Sequence, residues 1–397
     1  MASPKRSSTC SDTALWSENF DREFGDIFAI QDEIASHVVD QLEIELAGNR
    51  PASQPVDPEA YALYLRAKNL VNKQNRDASL KAEELLEKSL AIDSQHAAAW
   101  LLYMTIYLQL AYFEGWSMPE LALKARDPLE QALKVDPDNA QAKAHLARLS
   151  YDAMTTWPGE AQAVAYAMSL DPGTPMFNAD AASFLREVGL VEEAVQYAAY
   201  AAQRDPLSAR SQRALMLSHF AAGHFEEALA ANRQMREITG GVGGLWYQGM
   251  IHLMAGDTQA ALAAFDEWAA GSSDDNRYAV HGRTLVNLVR GEQAEFERGL
   301  EKLRQMPDNE WLVAIACSLA GQHDEAILTL DNMIDPPHNF GPPAMNTSPA
   351  FAALHDHPRW EELLRKRGTH PEQVAAIEPD MLFPGPGLPP AVPVDPP

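Results

Sequence analysis

A short phrase recurs at nearly constant spacing in the second half of the chain. It reads Gly189-Leu-Val-Glu-Glu-Ala194 and returns as Gly223-His-Phe-Glu-Glu-Ala228. Looser copies begin at Gly256, Gly291 and Gly321. The steps between the five glycines are 34, 33, 35 and 30 residues. Such self-similarity restricts the chain to an array of stacked repeats, because each copy must have the same local structure.

A second phrase marks the far end of the same unit. Asp-Pro closes three stretches, Val135-Asp-Pro137, Leu170-Asp-Pro172 and Arg204-Asp-Pro206, at steps of 35 and 34 residues. A period close to 34 residues is the signature of the tetratricopeptide (TPR) repeat, a helix–turn–helix that stacks on copies of itself. The sequence therefore predicts an all-α fold, a right-handed TPR solenoid. Since each repeat contacts only its neighbours, 397 residues need not divide into globular domains.

The chemistry of the repeated phrase explains why the same residue types recur from copy to copy. Gly189 should end the first helix of a pair in a left-handed conformation. Glu192 and Glu193 should open the second helix, where carboxylates complement the positive end of the helix dipole. Ala194 should be small because the two helices cross there. Asp-Pro then stops the second helix, since proline is tolerated in a first turn but not inside a helix.

The repeats predict about eight helix pairs. Their expected bounds are 58–74 with 77–91, 96–112 with 119–134, 138–153 with 158–169, 175–188 with 190–204, 208–222 with 224–237, 243–255 with 257–269, 275–290 with 292–305, and 308–320 with 322–334. The last two pairs match the pattern most weakly.

The rest of the chain is divided by composition. We expect a disordered start at 1–13, a strand and a helix at 14–46, a proline-containing linker at 47–57 and the TPR array at 58–334. A loop and a capping helix should follow at 335–370, since a solenoid must cover the apolar face of its last repeat. The proline-rich tail at 371–397 is predicted to be disordered.

Two segments outside the repeats resemble a bacterial family. Residues Leu15 to Ala35, LWSENFDREFGDIFAIQDEIA, resemble the end of a TolB-like α/β domain. In that family the domain precedes TPR arrays of class III adenylate or guanylate cyclases, winged-helix transcriptional regulators and some Ser/Thr kinases. Residues Phe351 to Leu364 are similar to the closing helix of the same proteins. The resemblance runs from about residue 14 to 368 and includes no effector domain. It implies a truncated or detached relative, or a start placed too late.

Composition and motifs argue against several function classes. The net charge of −25 is opposite to the basic stripe that nucleic acid requires. The sequence shows no apolar run of membrane-spanning length and no signal peptide, which predicts a cytoplasmic protein without a membrane partner. Cys10 and Cys317 have no metal or disulfide spacing, and His355-Asp-His357 is better explained as a surface turn than as a metal site. With no recognisable nucleophile arrangement, we expect a non-enzyme that has no catalytic residues, metal or cofactor.

Binding is the remaining question, and the first helix of each TPR pair should line a concave groove. The repeat phase places a set of aromatic, arginine and other residues near that face: Arg210, Arg213, Trp246, Tyr247, Met250, His281 and Trp311. Aromatic residues and arginine are typical interface anchors. A phase shift of one residue would instead put Trp246 and Trp311 in the core. The sequence thus predicts a non-catalytic protein-interaction scaffold that binds a peptide or helix of a protein partner and regulates bacterial signalling. The alternative is the detached or truncated regulatory half of a cyclase, kinase or winged-helix transcription regulator.

Overall fold

The computed structural model describes residues 56–73, 76–114, 116–150, 156–239, 244–273, 276–306, 309–333 and 345–377. The predicted strand and helix at 14–46 lie outside these residues. The first eight helices are α1 (Pro58–Val71), α2 (Arg76–Ile92), α3 (Ala97–Glu114), α4 (Met118–Val135), α5 (Ala140–Arg148), α6 (Trp157–Leu170), α7 (Pro175–Glu187) and α8 (Val191–Arg204). The next eight are α9 (Ala209–Ala221), α10 (Phe225–Thr239), α11 (Leu245–Met254), α12 (Thr258–Ala270), α13 (Arg277–Arg290), α14 (Gln293–Gln305), α15 (Glu310–Leu319) and α16 (His323–Asn332). A 3₁₀ helix (Pro349–Leu354) and helices α17 (Trp360–Arg367) and α18 (Pro371–Ala375) follow.

The sixteen helices that the structure describes in the array form eight consecutive pairs, each packed most closely on its own partner and then on the next pair. First helices also contact one another directly, as α1 with α3, α7 with α9, and α13 with α15. These contacts align the first helices along one side of the stack, which we call the inner side. The all-α solenoid predicted from the period is confirmed, and the described ranges contain no strand.

The predicted cap glycines all have the backbone conformation that the phrase requires. Their φ angles lie between 72° and 93°, in the region that residues with a Cβ rarely adopt. At each cap, the residue after the glycine donates its N–H to the carbonyl five residues earlier, as Leu190 does to Leu185 (2.8 Å) and Gln322 does to Cys317 (2.9 Å). This is the Schellman pattern that satisfies the last helical carbonyls.

The other elements of the phrase have their predicted positions as well. Ala194, Ala228 and Ala326 are 0 % exposed where paired helices cross. The acidic pairs, such as Glu192 and Glu193, lie in the first turns of the second helices and face solvent. They serve the helix dipole.

The C-terminal part departs from the prediction in one respect. Helix α17 caps the array as expected, with Trp360, Leu363 and Leu364 buried against the last repeats. The segment predicted to be disordered from residue 371, however, begins with helix α18. Ile377 after it is only 8 % exposed and packs in the core of α5–α9. Val374 packs against the same core, so two apolar side chains pack on the array in a stretch whose proline content suggested disorder.

Candidate functional site

The predicted groove residues divide into two groups in the structure. Arg210 and Arg213 are exposed on α9, and Tyr247 is half-buried on α11. Trp246, Met250 and His281 are 4 %, 3 % and 0 % exposed and form part of the core. Trp311 is half-buried and packs edge-on against the ring of Phe351, with the centroids 4.9 Å apart.

The placement of Trp246, Met250 and His281 corrects the expectation that they present a surface to a partner. Successive residues on a helix are about 100° apart, so the repeat phase could not separate Trp246 from Tyr247. The structure turns Trp246 inward, where its ring packs edge-on against Tyr247 and Tyr278. Its indole N–H donates to Nδ1 of His281 at 3.1 Å.

Polar side chains connect the first helices of consecutive pairs along the inner side of the array. Arg148 on α5 pairs with Asp180 on α7 at 2.9 Å, and Asp180 also pairs with Arg210 on α9. Arg213 on α9 donates to the hydroxyl of Tyr247 on α11 at 3.1 Å. The bond from Trp246 on α11 to His281 on α13 continues the series. We call this chain of contacts the inner ladder; its hydrogen-bonded partners are 30 to 35 residues apart.

The beginning of the inner ladder is a buried charge cluster. Burial raises the pKa of the Glu160 carboxyl, although Arg148 opposes this at 3.3 Å. Burial also acts to raise the pKa of Asp180, but Arg148 and Arg210 outweigh it and hold that pKa below its usual range. Burial lowers the pKa of His145 to about 3. Because each carboxylate has an arginine partner, the cluster fixes the register of three repeats.

A second feature of the inner side is a turn of the chain's own C-terminal part, residues 345–348, which we call the docked turn. Thr347 donates its hydroxyl to the carbonyl of Arg186 at the end of α7 (3.3 Å). Ser348 is 2 % exposed. It lines a narrow apolar cavity with residues of α9, α11 and α15, including Met216, Trp246, Met250 and Ile315. Two positions on, the carbonyl of Ala350 accepts a hydrogen bond from Ser318 on α15 (2.7 Å).

A further set of contacts joins the end of the chain to the middle of the array; we call residues 367–377 the clasp. The indole N–H of Trp157 on α6 donates to the carbonyl of Arg367 at 2.7 Å. Gly368 follows with a φ of 73°, and a Cβ there would lie 3.0 Å from Cδ1 of Trp157. Val374 and Ile377 then pack on the α5–α9 core. Through the clasp, repeats far apart in sequence touch the same segment.

The guanidinium of Arg186, beside the docked turn, is incompletely paired. Arg186 is 4 % exposed, and its Nη2 donates to Glu187 at 3.3 Å. Its Nε and Nη1, and the hydroxyl of Ser348, have no hydrogen-bond partner among the described residues. Buried polar groups are normally satisfied, so the contact between the docked turn and the array is incompletely hydrogen-bonded at these atoms.

The features that would suggest chemistry have structural partners instead. His357 contacts Asp324 at 3.0 Å, and His355 stacks near Trp360 with the ring centroids 4.8 Å apart. Across the part of the chain that the structure describes, no three His, Cys, Asp or Glu side chains are grouped as metal ligands. Burial raises the pKa of the Cys317 thiol to about 12, which opposes nucleophilic use. No described helix combines the length and apolarity needed to cross a bilayer.

Comparison with known proteins gives one curated relative with partial coverage. The putative adenylate cyclase 3 of Rhizobium meliloti (strain 1021) is 31 % identical over 137 residues. The match spans 33 % of this chain and 23 % of that protein. No protein-family model matches the chain.

Several solved structures have a similar chain path. The pilF protein of Pseudomonas aeruginosa matches at 18 % identity over 55 % of this chain and 94 % of its own, with a TM-score of 0.40. A tetratricopeptide repeat protein from Parabacteroides merdae matches at 13 % identity over 67 % and 100 %, with a TM-score of 0.40. Human IFIT1, solved as a dimer with PPP-AAAA, matches at 15 % identity over 90 % and 81 %, with a TM-score of 0.45.

The sequence did not indicate the residues that bring the docked turn and the clasp to the array. Thr347 and Ser348 follow a proline-rich stretch with no apolar periodicity. Trp157 lies in a Thr-Trp-Pro helix start that reads as ordinary capping. Only the presence of a buried-type residue, Ile377, in the tail could have suggested that the tail returns to the core.

Proposed function

We propose that the protein is a non-catalytic interaction scaffold that binds a short segment of a partner protein on the inner side of its TPR array. One observation carries the proposal: first helices α7, α9, α11 and α15 already hold a non-helical segment of the chain itself, residues 345–348. A surface that accepts such a turn has the shape and the hydrogen-bonding groups to accept a similar turn of a partner protein. A rigid stack of helices also loses little conformational entropy on binding.

The accessible edge of that surface is formed by Arg210, Arg213 and Tyr247. Arg213 lies 5.8 Å from the ring centroid of Tyr247 and donates to its hydroxyl. An arginine held over an aromatic ring is preorganised, and both residue types are common anchors of protein interfaces. We assign Trp246, Met250 and His281 a structural role: they lie in the core and support the side chains of the accessible edge. Trp311 supports Phe351 in the same way, through the contact of their rings.

The test is a pull-down from an extract of the cells that make the protein, with the wild type and Arg213→Ala as bait. Arg298→Ala is the matched control, because Arg298 is an exposed arginine on the second helix α14, paired with Glu295. We expect Arg213→Ala to lose about ten-fold of the captured partner, and Arg298→Ala to lose none. Equal capture by both folded variants would refute the proposal.

A second candidate is favoured by the partial match to a putative adenylate cyclase. In that case the array is the regulatory half of a cyclase, kinase or winged-helix regulator, and its partner is the effector part. Reading the DNA upstream of the Met1 codon distinguishes the two. An in-frame continuation into an α/β domain favours the regulatory half, whereas an in-frame stop codon favours the separate scaffold.

A further inference from the structure

The docked turn lies where the inner surface of the array would meet a partner. It touches the end of α7 through Thr347 and the cavity between α9, α11 and α15 through Ser348. The same cavity is lined by Tyr247, the aromatic member of the proposed partner site. A partner segment on this surface and the docked turn therefore exclude each other.

The docked turn differs from the capping residues that follow it. Phe351 and Leu354 are both 0 % exposed and complete the core of the last repeats. In the turn itself, Asn346 and Thr347 are only half-buried, and the buried hydroxyl of Ser348 has no partner in the described part of the chain. Met345 at the start of the turn is 6 % exposed and packs in the same core, so displacing the turn also withdraws this side chain from the cap.

We propose that residues 345–348 are a built-in competitor for the partner groove, and that a partner segment with the same chemistry binds only when the turn leaves. This inference rests on the proposed function and adds a way in which partner binding is regulated. The segment that replaces the turn needs a small residue in the cavity lined by Met216 and Ile315. It also needs a hydroxyl donor for the Arg186 carbonyl, whereas the Ser318 hydroxyl stays bonded to Ala350 in the cap.

Covalent linkage makes the competition effective. A tethered ligand acts at an effective concentration in the millimolar range for short linkers. The apparent association constant for a partner is the intrinsic constant multiplied by the fraction of molecules in which the groove is open. Because Ala350, Phe351 and Leu354 are buried beyond the turn, the turn can leave while these residues continue to cover the last repeats.

The experiment uses the full chain and a labelled synthetic peptide with the sequence of residues 345–350, Met-Asn-Thr-Ser-Pro-Ala. Its binding is measured by fluorescence anisotropy. Ser348→Trp expels the docked turn, because the indole cannot enter the narrow cavity. Ala352→Trp is the matched control, since Ala352 is exposed on the 3₁₀ helix four residues later.

We expect Ser348→Trp to bind the peptide at least ten-fold more tightly than the wild type and Ala352→Trp do. A folded Ser348→Trp protein that binds no more tightly than Ala352→Trp overturns the proposal. If Ser348→Trp does not fold, Thr347→Val decides the question, because it removes only the hydrogen bond to Arg186. Thr347→Val should bind the peptide about five-fold more tightly than the wild type, as the loss of one hydrogen bond from the docked turn implies. Unchanged peptide binding contradicts the proposal that the turn is a competitor.

The two proposals fail in distinguishable ways. If the opened variants bind no peptide while Arg213→Ala still loses the captured partner, the competitor is refuted and the scaffold stands. If the opened variants bind the peptide but no partner depends on Arg213, the turn is a displaceable element of the fold and the scaffold proposal fails.

Discussion

At the scale of single residues, burial decides what each polar side chain can do. His281 is 0 % exposed and accepts the indole N–H of Trp246. Burial lowers its pKa to about 3, against a smaller opposing effect of the Leu312 backbone. A neutral, fully enclosed histidine holds two repeats in register, which explains why it contributes no surface to a partner.

Acidification should therefore destabilise the fold through this residue. The pKa of His281 is lower in the folded chain than the ordinary value of 6.5. The unfolded state consequently takes up a proton first as the pH falls, and the stability present above pH 6.5 is lost progressively toward pH 3. Between pH 7 and pH 5 we expect the wild type to lose about 2 kcal/mol more unfolding free energy than His281→Gln. Urea titrations at the two pH values measure this, and equal losses would contradict it.

At the scale of helices and pairs, two kinds of glycine serve different purposes. Gly223 ends α9 with a φ of 76°, and a Cβ there would meet nothing within 4 Å. Gly249 lies inside α11, where a Cβ would be 2.4 Å from Cε1 of Phe265 on the partner helix. The first glycine supplies a backbone conformation, and the second allows two helices of one pair to approach.

Alanine substitutions should separate these two roles. Gly223→Ala should cost about 1 kcal/mol of unfolding free energy, the usual cost of a left-handed residue with a Cβ. Gly249→Ala has the better helix propensity but must displace the Phe265 ring, so it should cost about 1–3 kcal/mol. Chemical denaturation of both variants measures the difference. A stabilised Gly249→Ala would show that propensity outweighs packing at this crossing.

At the scale of the whole molecule, the C-terminal part adds long-range contacts to an array that otherwise has local ones. In an ordinary solenoid each repeat depends on its neighbours alone. Here Thr347 bonds to Arg186 across 161 residues, and Trp157 bonds to Arg367 across 210. These bonds link the third and fourth pairs to the cap of the eighth, which should make unfolding more cooperative.

Trp157→Phe should weaken that coupling. It removes the N–H that reaches Arg367 and keeps most of the ring; we expect a loss of about 1 kcal/mol and a broader urea transition. Trp100→Phe is the control, because the Trp100 indole donates to Ser94 within its own neighbourhood, at 2.9 Å. Circular dichroism during urea unfolding reports both. Identical transition slopes for the two variants would show that the clasp does not couple the repeats.

The sequence alone was sufficient for the architecture, because every signal in the repeated phrase acts over a few residues. A cap glycine such as Gly223, an acidic first turn and a small Ala228 each indicate a local structure. The period indicates how often that structure recurs. Eight helix pairs follow from these signals, and the capping helix α17 follows from the need of a solenoid to cover its last repeat. The groove residues were harder to predict from the sequence, since a rotation of about 100° per residue separates a buried Trp246 from a half-buried Tyr247.

Only the tertiary structure decided what lies on the inner side of the array. The meeting of Ser348 with Met216 and Ile315 depends on how the first helices of the fifth to eighth pairs stack, and that stacking is the sum of many small packing contacts. No periodicity in residues 345–348 could report it. The repeated phrase therefore determines that the helices stack in pairs, whereas the packing of residues 345–348 on the first helices is a consequence of long-range contacts.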